Sequence, residues 1–137
     1  MKFIFVSHGD LAKSILGSAQ MIVGEQTEAK AFGLYPKDDI GGLKDQVKSA
    51  IEEFGGGDDN ICFTDLFSGS PFNAVVALMG DFPIRHITGM NLPMVLEAFM
   101  SRMNEDNSAE DICTKLLEEA PSTFIDVNHY LGVNLED

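Results

Sequence analysis

The sequence predicts an α/β domain: a doubly wound three-layer sandwich whose mainly parallel sheet has the strand order 2-1-3-4. Three observations lead there. Short, continuously apolar runs alternate along the chain with longer stretches that are apolar at every third or fourth position. The apolar runs lack the in–out alternation of a half-exposed sheet, as expected of strands covered on both faces. A glycine, a proline or a helix-capping residue marks most of the changes of period. The 137 residues suffice for one domain, taken as 1–137, with a core of its own.

Residues 2–7 form the first strand, broken by Ser7-His8-Gly9. From Asp10, Leu11, Ile15, Leu16, Ala19, Ile22 and Val23 share a helical face, and Gly24 stops the helix. A weaker strand, Ala29–Tyr35, ends at Pro36. Ile40, Leu43, Val47, Ile51 and Phe54 then mark an amphipathic helix closed by Gly55-Gly56-Gly57. Asn60–Thr64 is a third strand ending at Asp65. Ser70-Pro71 reads as an N-cap followed by proline at the first helical position, opening a helix to about Met79. Pro83–Thr88 is the fourth strand, Asn91 caps a helix through Arg102, and Ser108 starts another that Pro121 terminates. Ser122–Val127 is expected as a last short strand, with a tail behind it. Right-handed crossovers then place strands 1 and 3 side by side, with the topological switch and its ligand site at their carboxyl ends. His8 ends strand 1 and Asp65 ends strand 3, so the fold joins two residues far apart in the chain.

Composition narrows the function classes. The formal net charge of −13, with Arg85 and Arg102 the only arginines, repels nucleic acid and anionic membranes. Such a surface suits a basic protein partner, or simply keeps the protein soluble. No apolar run approaches the ~18 residues of a membrane span, and residues 1–6 are too short for a signal peptide, so a cytoplasmic location is expected. Cys62 and Cys113 lack metal-ligand spacing and sit in apolar surroundings, which favours buried free thiols. Met90, Met94, Met100 and Met103 are expected to fill core space, and His86 and His129 to be structural.

The residues at the switch point suit phosphoryl chemistry. An imidazole with an ordinary pKa of ~6.5 is nucleophilic near neutral pH. A carboxylate holding one ring N–H fixes the tautomer and steadies the cation formed as the other nitrogen attacks. Asp65 is the candidate orienter and His8 Nε2 the attacking atom. The turn into the helix at Pro71 offers donors for a phosphoryl oxygen: the amides of Gly69, Ser70, Phe72 and Asn73 and the Ser70 hydroxyl. The Ser7 hydroxyl and the Gly9 and Asp10 amides are expected to help from the other side. Each residue also has an ordinary structural reading: a surface histidine, a turn aspartate, a helix start.

Three blocks resemble the enzyme IIA domains of the mannose–fructose–sorbose class of the bacterial phosphoenolpyruvate-dependent sugar phosphotransferase system (PTS). The first is an apolar strand into Ser7-His8-Gly9 with Leu11-Ala12 behind it. The second runs from Thr64-Asp65 through Gly69-Ser70-Pro71-Phe72-Asn73, and the third is Gly89-Met90-Asn91-Leu92-Pro93-Met94. The resemblance spans about residues 1–100. It implies a phosphocarrier in which His8 is phosphorylated and Asp65 is its partner, with Gly69–Asn73 and the Asn91 segment lining the site. It further implies no metal or cofactor, HPr as donor, and enzyme IIB as acceptor on a separate chain. Membrane IIC and IID subunits would be served indirectly. A homodimer with an exchanged, antiparallel last strand, here Ser122–Val127, also follows from the resemblance.

The nearest alternative is the phosphocarrier subunit of a dihydroxyacetone kinase, which shares the fold and the Ser-His start. The Pro-Phe-Asn and Asn-Leu-Pro-Met segments favour the sugar system. A histidine phosphatase would need arginines around the phosphate, and position 7 is serine. A receiver domain would need acidic residues after strand 1, where Ser7-His8-Gly9 stands.

Overall fold

The computed structural model describes residues 1–135. Its elements are β1 (Lys2–His8), α1 (Leu11–Val23), β2 (Ala29–Leu34), α2 (Ile40–Glu53), β3 (Asn60–Thr64), α3 (Gly69–Leu78), β4 (Arg85–Thr88), α4 (Leu92–Arg102), α5 (Ala109–Glu119), a 3₁₀ turn (Ala120–Thr123) and α6 (Val127–Leu131). The four strands form one parallel sheet of order β2-β1-β3-β4. That is the doubly wound order expected from the sequence.

Period-two alternation of β1 divides the core in two. Phe3 and Phe5 turn to the face covered by α1, α4 and α5, where they join Phe63, Phe99, Val95 and Ile112. Ile4 and Val6 turn to the face under α2 and α3, with Val47, Ile51, Val75 and Leu78. The Phe5 and Phe63 rings stack at 5.0 Å, and Phe3 meets Phe63 edge-on at 5.5 Å. Truncating any of these fully buried rings would cost about 3–5 kcal/mol. Cys62 and Cys113 are free and buried in opposite layers, and burial pushes the Cys62 thiol up to about 12.

Arg102 ties this scaffold together below the sheet. Its guanidinium donates to the carbonyls of Met1, Thr27 and Glu28 and to Gln26 Oε1, and it lies over the Phe3 and Phe99 rings. Among the described residues, no helix is long and apolar enough to cross a membrane.

Several expectations need correction. The segment Ser122–Val127 is not a strand. Ser122 Oγ and Thr123 Oγ1 donate back to the carbonyls of Glu119 and Ala120, each at 2.7 Å, and wind the chain into the 3₁₀ turn. Asp126 then caps α6 by accepting from the His129 amide, and Gly132, at φ 69°, ends it. The β-branched Thr123, Ile125 and Val127 favour a strand only where a neighbouring strand receives them, and this chain provides none there. Among the described residues there is accordingly no antiparallel strand.

Smaller differences follow from helix geometry. In α1, Ala12, Ile15 and Ala19 form the buried stripe, while Leu11 and Ile22 are exposed. Met90 and Met94 fill the core as expected, but Met100 and Met103 are exposed on and just past the last turn of α4. In α3 the cap is Ser68, two residues earlier than expected, because Gly69 adopts φ +89° and turns the chain into the helix ahead of Pro71.

Candidate functional site

At the carboxyl ends of β1 and β3, Asp65 takes both polar groups of His8 that face it. Asp65 Oδ2 accepts from the His8 amide at 2.9 Å and from ring Nδ1 at 2.8 Å, and Oδ1 accepts from the Leu66 amide at 3.1 Å. The Asp65 side chain is 7% exposed and that of His8 is 50% exposed. Burial opposes ionisation of Asp65, but the two bonds from His8 and the attraction of its ring prevail, holding the carboxyl below its ordinary range. An ionised Asp65 therefore fixes the tautomer with the proton on Nδ1. The lone pair is left on Nε2, at the half-exposed edge of the ring.

The start of α3 closes against that edge. A Cβ built on Gly69 would stand 3.0 Å from His8 Cε1 and 3.2 Å from Nε2. Glycine is thus required twice, by its φ of +89° and by the approach of the ring. The Ser68 side chain makes no cap bond. The Gly69 and Ser70 amides lie in the first turn, where the helix supplies no carbonyl for them, and Pro71 has no N–H. An anion growing at Nε2 would meet these donors and the positive end of the helix dipole. Phe72 and Asn73 sit further in, their amides directed back along the helix toward the carbonyls of Ser68 and Gly69. The donor set expected at this turn narrows to Gly69, Ser70 and the Ser70 hydroxyl. The Phe72 ring instead packs between Phe67 and His86, 5.1 Å from each.

The other side of the expected site is not assembled as foreseen. Ser7 lies on the opposite sheet face from His8. Ser7 is fully buried and its hydroxyl accepts from the Ala12 amide at 2.7 Å, a first-turn donor of α1 that the N-cap residue Asp10 leaves without a side-chain bond. The Gly9 amide donates to the Leu34 carbonyl at 2.6 Å, so neither group faces the imidazole edge. Both instead hold the turn that carries His8. A Cβ on Gly33 would fall 2.1 Å from the Gly9 carbonyl oxygen, so β2 packs directly on this turn. Tyr35 extends the clamp by donating its hydroxyl to Asp10 Oδ1 at 2.6 Å, while Lys13 donates to the Tyr35 oxygen.

One network at the site was not anticipated. Thr64, the residue before Asp65, bonds His86 Nε2 at 2.7 Å and Thr88 Oγ1 at 2.8 Å through its hydroxyl. Strand alternation carries the signal: Thr88 is in register with Thr64, and His86, two residues earlier on β4, shares their face as the diagonal neighbour.

The chain is similar to proteins of one family. The family model described as "PTS system fructose IIA component" matches residues 2–116. The chain belongs to this family. A "PTS system sorbose-specific EIIA component" of Lacticaseibacillus casei is 35% identical over 105 residues, 76% of this chain and 75% of that protein. The protein of the same description in Klebsiella pneumoniae is 31% identical over 114 residues, 82% of each chain. Among solved structures, the phosphotransferase system component EIIA of Streptococcus agalactiae superposes with a TM-score of 0.85 at 24% identity, covering 93% of this chain and 98% of that one. This IIA chain is thus of the mannose–sorbose type in sequence, and it has the IIA fold.

Proposed function

We propose that this IIA chain is a phosphocarrier that accepts a phosphoryl group on His8 Nε2 from phospho-HPr and passes it to an enzyme IIB. The observation that carries the reading is the bond from Nδ1 to the buried carboxylate of Asp65, which leaves Nε2 as the free nucleophile. As Nε2 attacks phosphorus, the bond from phosphorus to the donor's nitrogen breaks and positive charge develops on the ring, where Asp65 stabilises it. The amides of Gly69 and Ser70 and the Ser70 hydroxyl receive the phosphoryl oxygens. These donors are neutral, so the group is held without the charge neutralisation that would trap it. That suits onward transfer. Leu66 and Phe67, exposed beside Asp65, together with Leu11, give a protein partner an apolar shelf on which to dock around the ring.

The relatives named as sorbose components support the sugar system over a dihydroxyacetone kinase subunit. A cytoplasmic place follows from this role, since phosphoryl transfer through the system takes place there. The site needs no metal or bound cofactor for this chemistry. A homodimer belongs to the same reading, supported by Phe124, Ile125, Tyr130 and Leu135 exposed after α5 and by the outer edge of β4, which no strand among the described residues covers. A cleft of about 560 Å³ opens beside that edge, lined by Ile87, Met94 and Leu116 among others.

The test is reconstitution. Mixed with phosphoenolpyruvate, enzyme I and HPr, the protein should take up one phosphate that is lost in acid and stable in base. His8→Ala should take up none, and phosphate retained in that variant would overturn the assignment.

A further inference from the structure

We infer that His86 is a positioning residue of the phosphoryl-transfer site, acting through Thr64 on Asp65 and through Phe72 on the start of α3. The inference rests on the proposed role of His8, and it assigns a function to a side chain that the sequence marked only as structural.

Two contacts of one ring carry it. Thr64 has a single hydroxyl hydrogen, and it is directed at Thr88 Oγ1, 2.8 Å away. The 2.7 Å bond between Thr64 and His86 must then be donated by His86 Nε2–H. His86 is more than half buried and burial lowers its pKa to about 4, so the ring is neutral at working pH and carries one N–H, which the bond to Thr64 places on Nε2. Thr64 is fully buried, and its carbonyl also accepts from the amides of Gly89 and Met90, at 3.1 and 3.2 Å. The residue that Asp65 follows is therefore pinned through its side chain by β4 and through its main chain by the turn beyond β4.

The second contact runs to α3. The His86 ring lies 5.1 Å from the Phe72 ring, inclined by 40°. Phe72 stands three residues after Gly69, on the same side of the helix, and Gly69 is the residue against His8 Cε1 and Nε2. One imidazole thus sets both the carboxylate that orients His8 and the helix start that receives the phosphoryl group. Shifts in such supports translate into misalignment at the reacting atom, which is costly in rate even when the displacement is small.

Three variants separate the contributions. His86→Phe keeps a ring for Phe72 and removes the donor; Thr64→Val removes the acceptor at nearly equal volume; His86→Gln places an amide nitrogen where Nε2 stands. Initial rates of phosphate uptake are measured against phospho-HPr concentration, at temperatures well below each variant's melting point. His86→Phe and Thr64→Val should each lower kcat about tenfold with KM unchanged, and His86→Gln should recover to within about threefold of wild type. The double variant should be no slower than Thr64→Val alone, since that substitution already removes the bond to His86 along with the one to Thr88. Wild-type kcat in both His86→Phe and Thr64→Val overturns the inference. So does a His86→Gln rate as low as that of His86→Phe, or loss of folding in both donor- and acceptor-deleted variants, since the pair would then serve only the core. Failure of the underlying reading is distinct: the wild-type protein itself would take up no phosphate.

Discussion

Replacing Asp65 by asparagine tests the central geometry at almost constant shape. The carboxylate accepts from the His8 amide, from His8 Nδ1 and from the Leu66 amide. Asparagine has one accepting oxygen for these donors, and its NH₂ can donate to Nδ1 and so move the ring proton to Nε2, the atom that must attack. Charge-assisted bonds of this kind contribute about 1.5–3 kcal/mol, so the transfer step should slow by about ten- to a hundredfold. The cost stays well below the ~10⁴-fold seen where a histidine–aspartate pair is wholly buried, because water screens the half-exposed imidazole here. The assay is single-turnover phosphate uptake from phospho-HPr, with nitrogen NMR of His8 reporting the tautomer. A wild-type rate in Asp65→Asn, with the proton still on Nδ1, would refute the reasoning. Stability provides a second reading. The folded-state pKa of Asp65 is depressed, so its contribution is present above the unfolded value of about 3.9 and is lost as pH falls through the folded value. The stability gap between wild type and Asp65→Asn should therefore shrink as the pH falls below about 4.

Other substitutions probe the surrounding supports. Gly69→Ala puts a methyl 3.2 Å from Nε2 at a φ of +89°, so phosphate uptake should fall at least about tenfold while the melting temperature drops by only a few degrees. Ser7→Ala removes the buried bond to the Ala12 amide in the first turn of α1, and chemical denaturation should show a loss of about 1–2 kcal/mol. Gly33→Ala forces a methyl onto the Gly9 carbonyl, a backbone atom that can yield only by shifting the His8 turn; about 1–3 kcal/mol of stability and much of the uptake rate should be lost together. Arg102→Lys keeps the charge but cannot serve four acceptors and two rings at once, and should cost about 1–3 kcal/mol without changing the phosphorylation rate at moderate temperature.

The sheet was readable because its strands are buried on both faces. Asn60–Thr64 is buried at every residue, and the apolar run Ile61-Cys62-Phe63 between its polar ends Asn60 and Thr64 stood out against the helices. The end of the chain was not readable for the complementary reason. Thr123, Ile125 and Val127 have strand-type side chains, but a strand is made by the neighbour that pairs with it. Local hydroxyl-to-carbonyl bonds decide the matter when the chain offers no neighbour. Helix faces were read correctly in period and less well in breadth. The buried stripe of α1 is narrow, and its apolar flanks Leu11 and Ile22 lie outside it.

The candidate site separates in the same way into what topology dictates and what orientation decides. His8 and Asp65 could be paired from sequence because each ends a strand and the strand order makes those ends neighbours. Adjacency in sequence was a poorer guide. Ser7 and Gly9 flank His8 in the chain, yet Ser7 turns to the opposite face and bonds the first turn of α1, and Gly9 spends its amide on β2. The strand period of two already contained the first of these results, since a residue next to the nucleophile on a strand must face away from it. The same rule places His86, Thr64 and Thr88 on the face that His8 shares, well separated from it in sequence. A nucleophile at the tip of a parallel strand is thus served by residues from neighbouring strands and the next helix start, while its own neighbours in sequence hold the turn on which it stands.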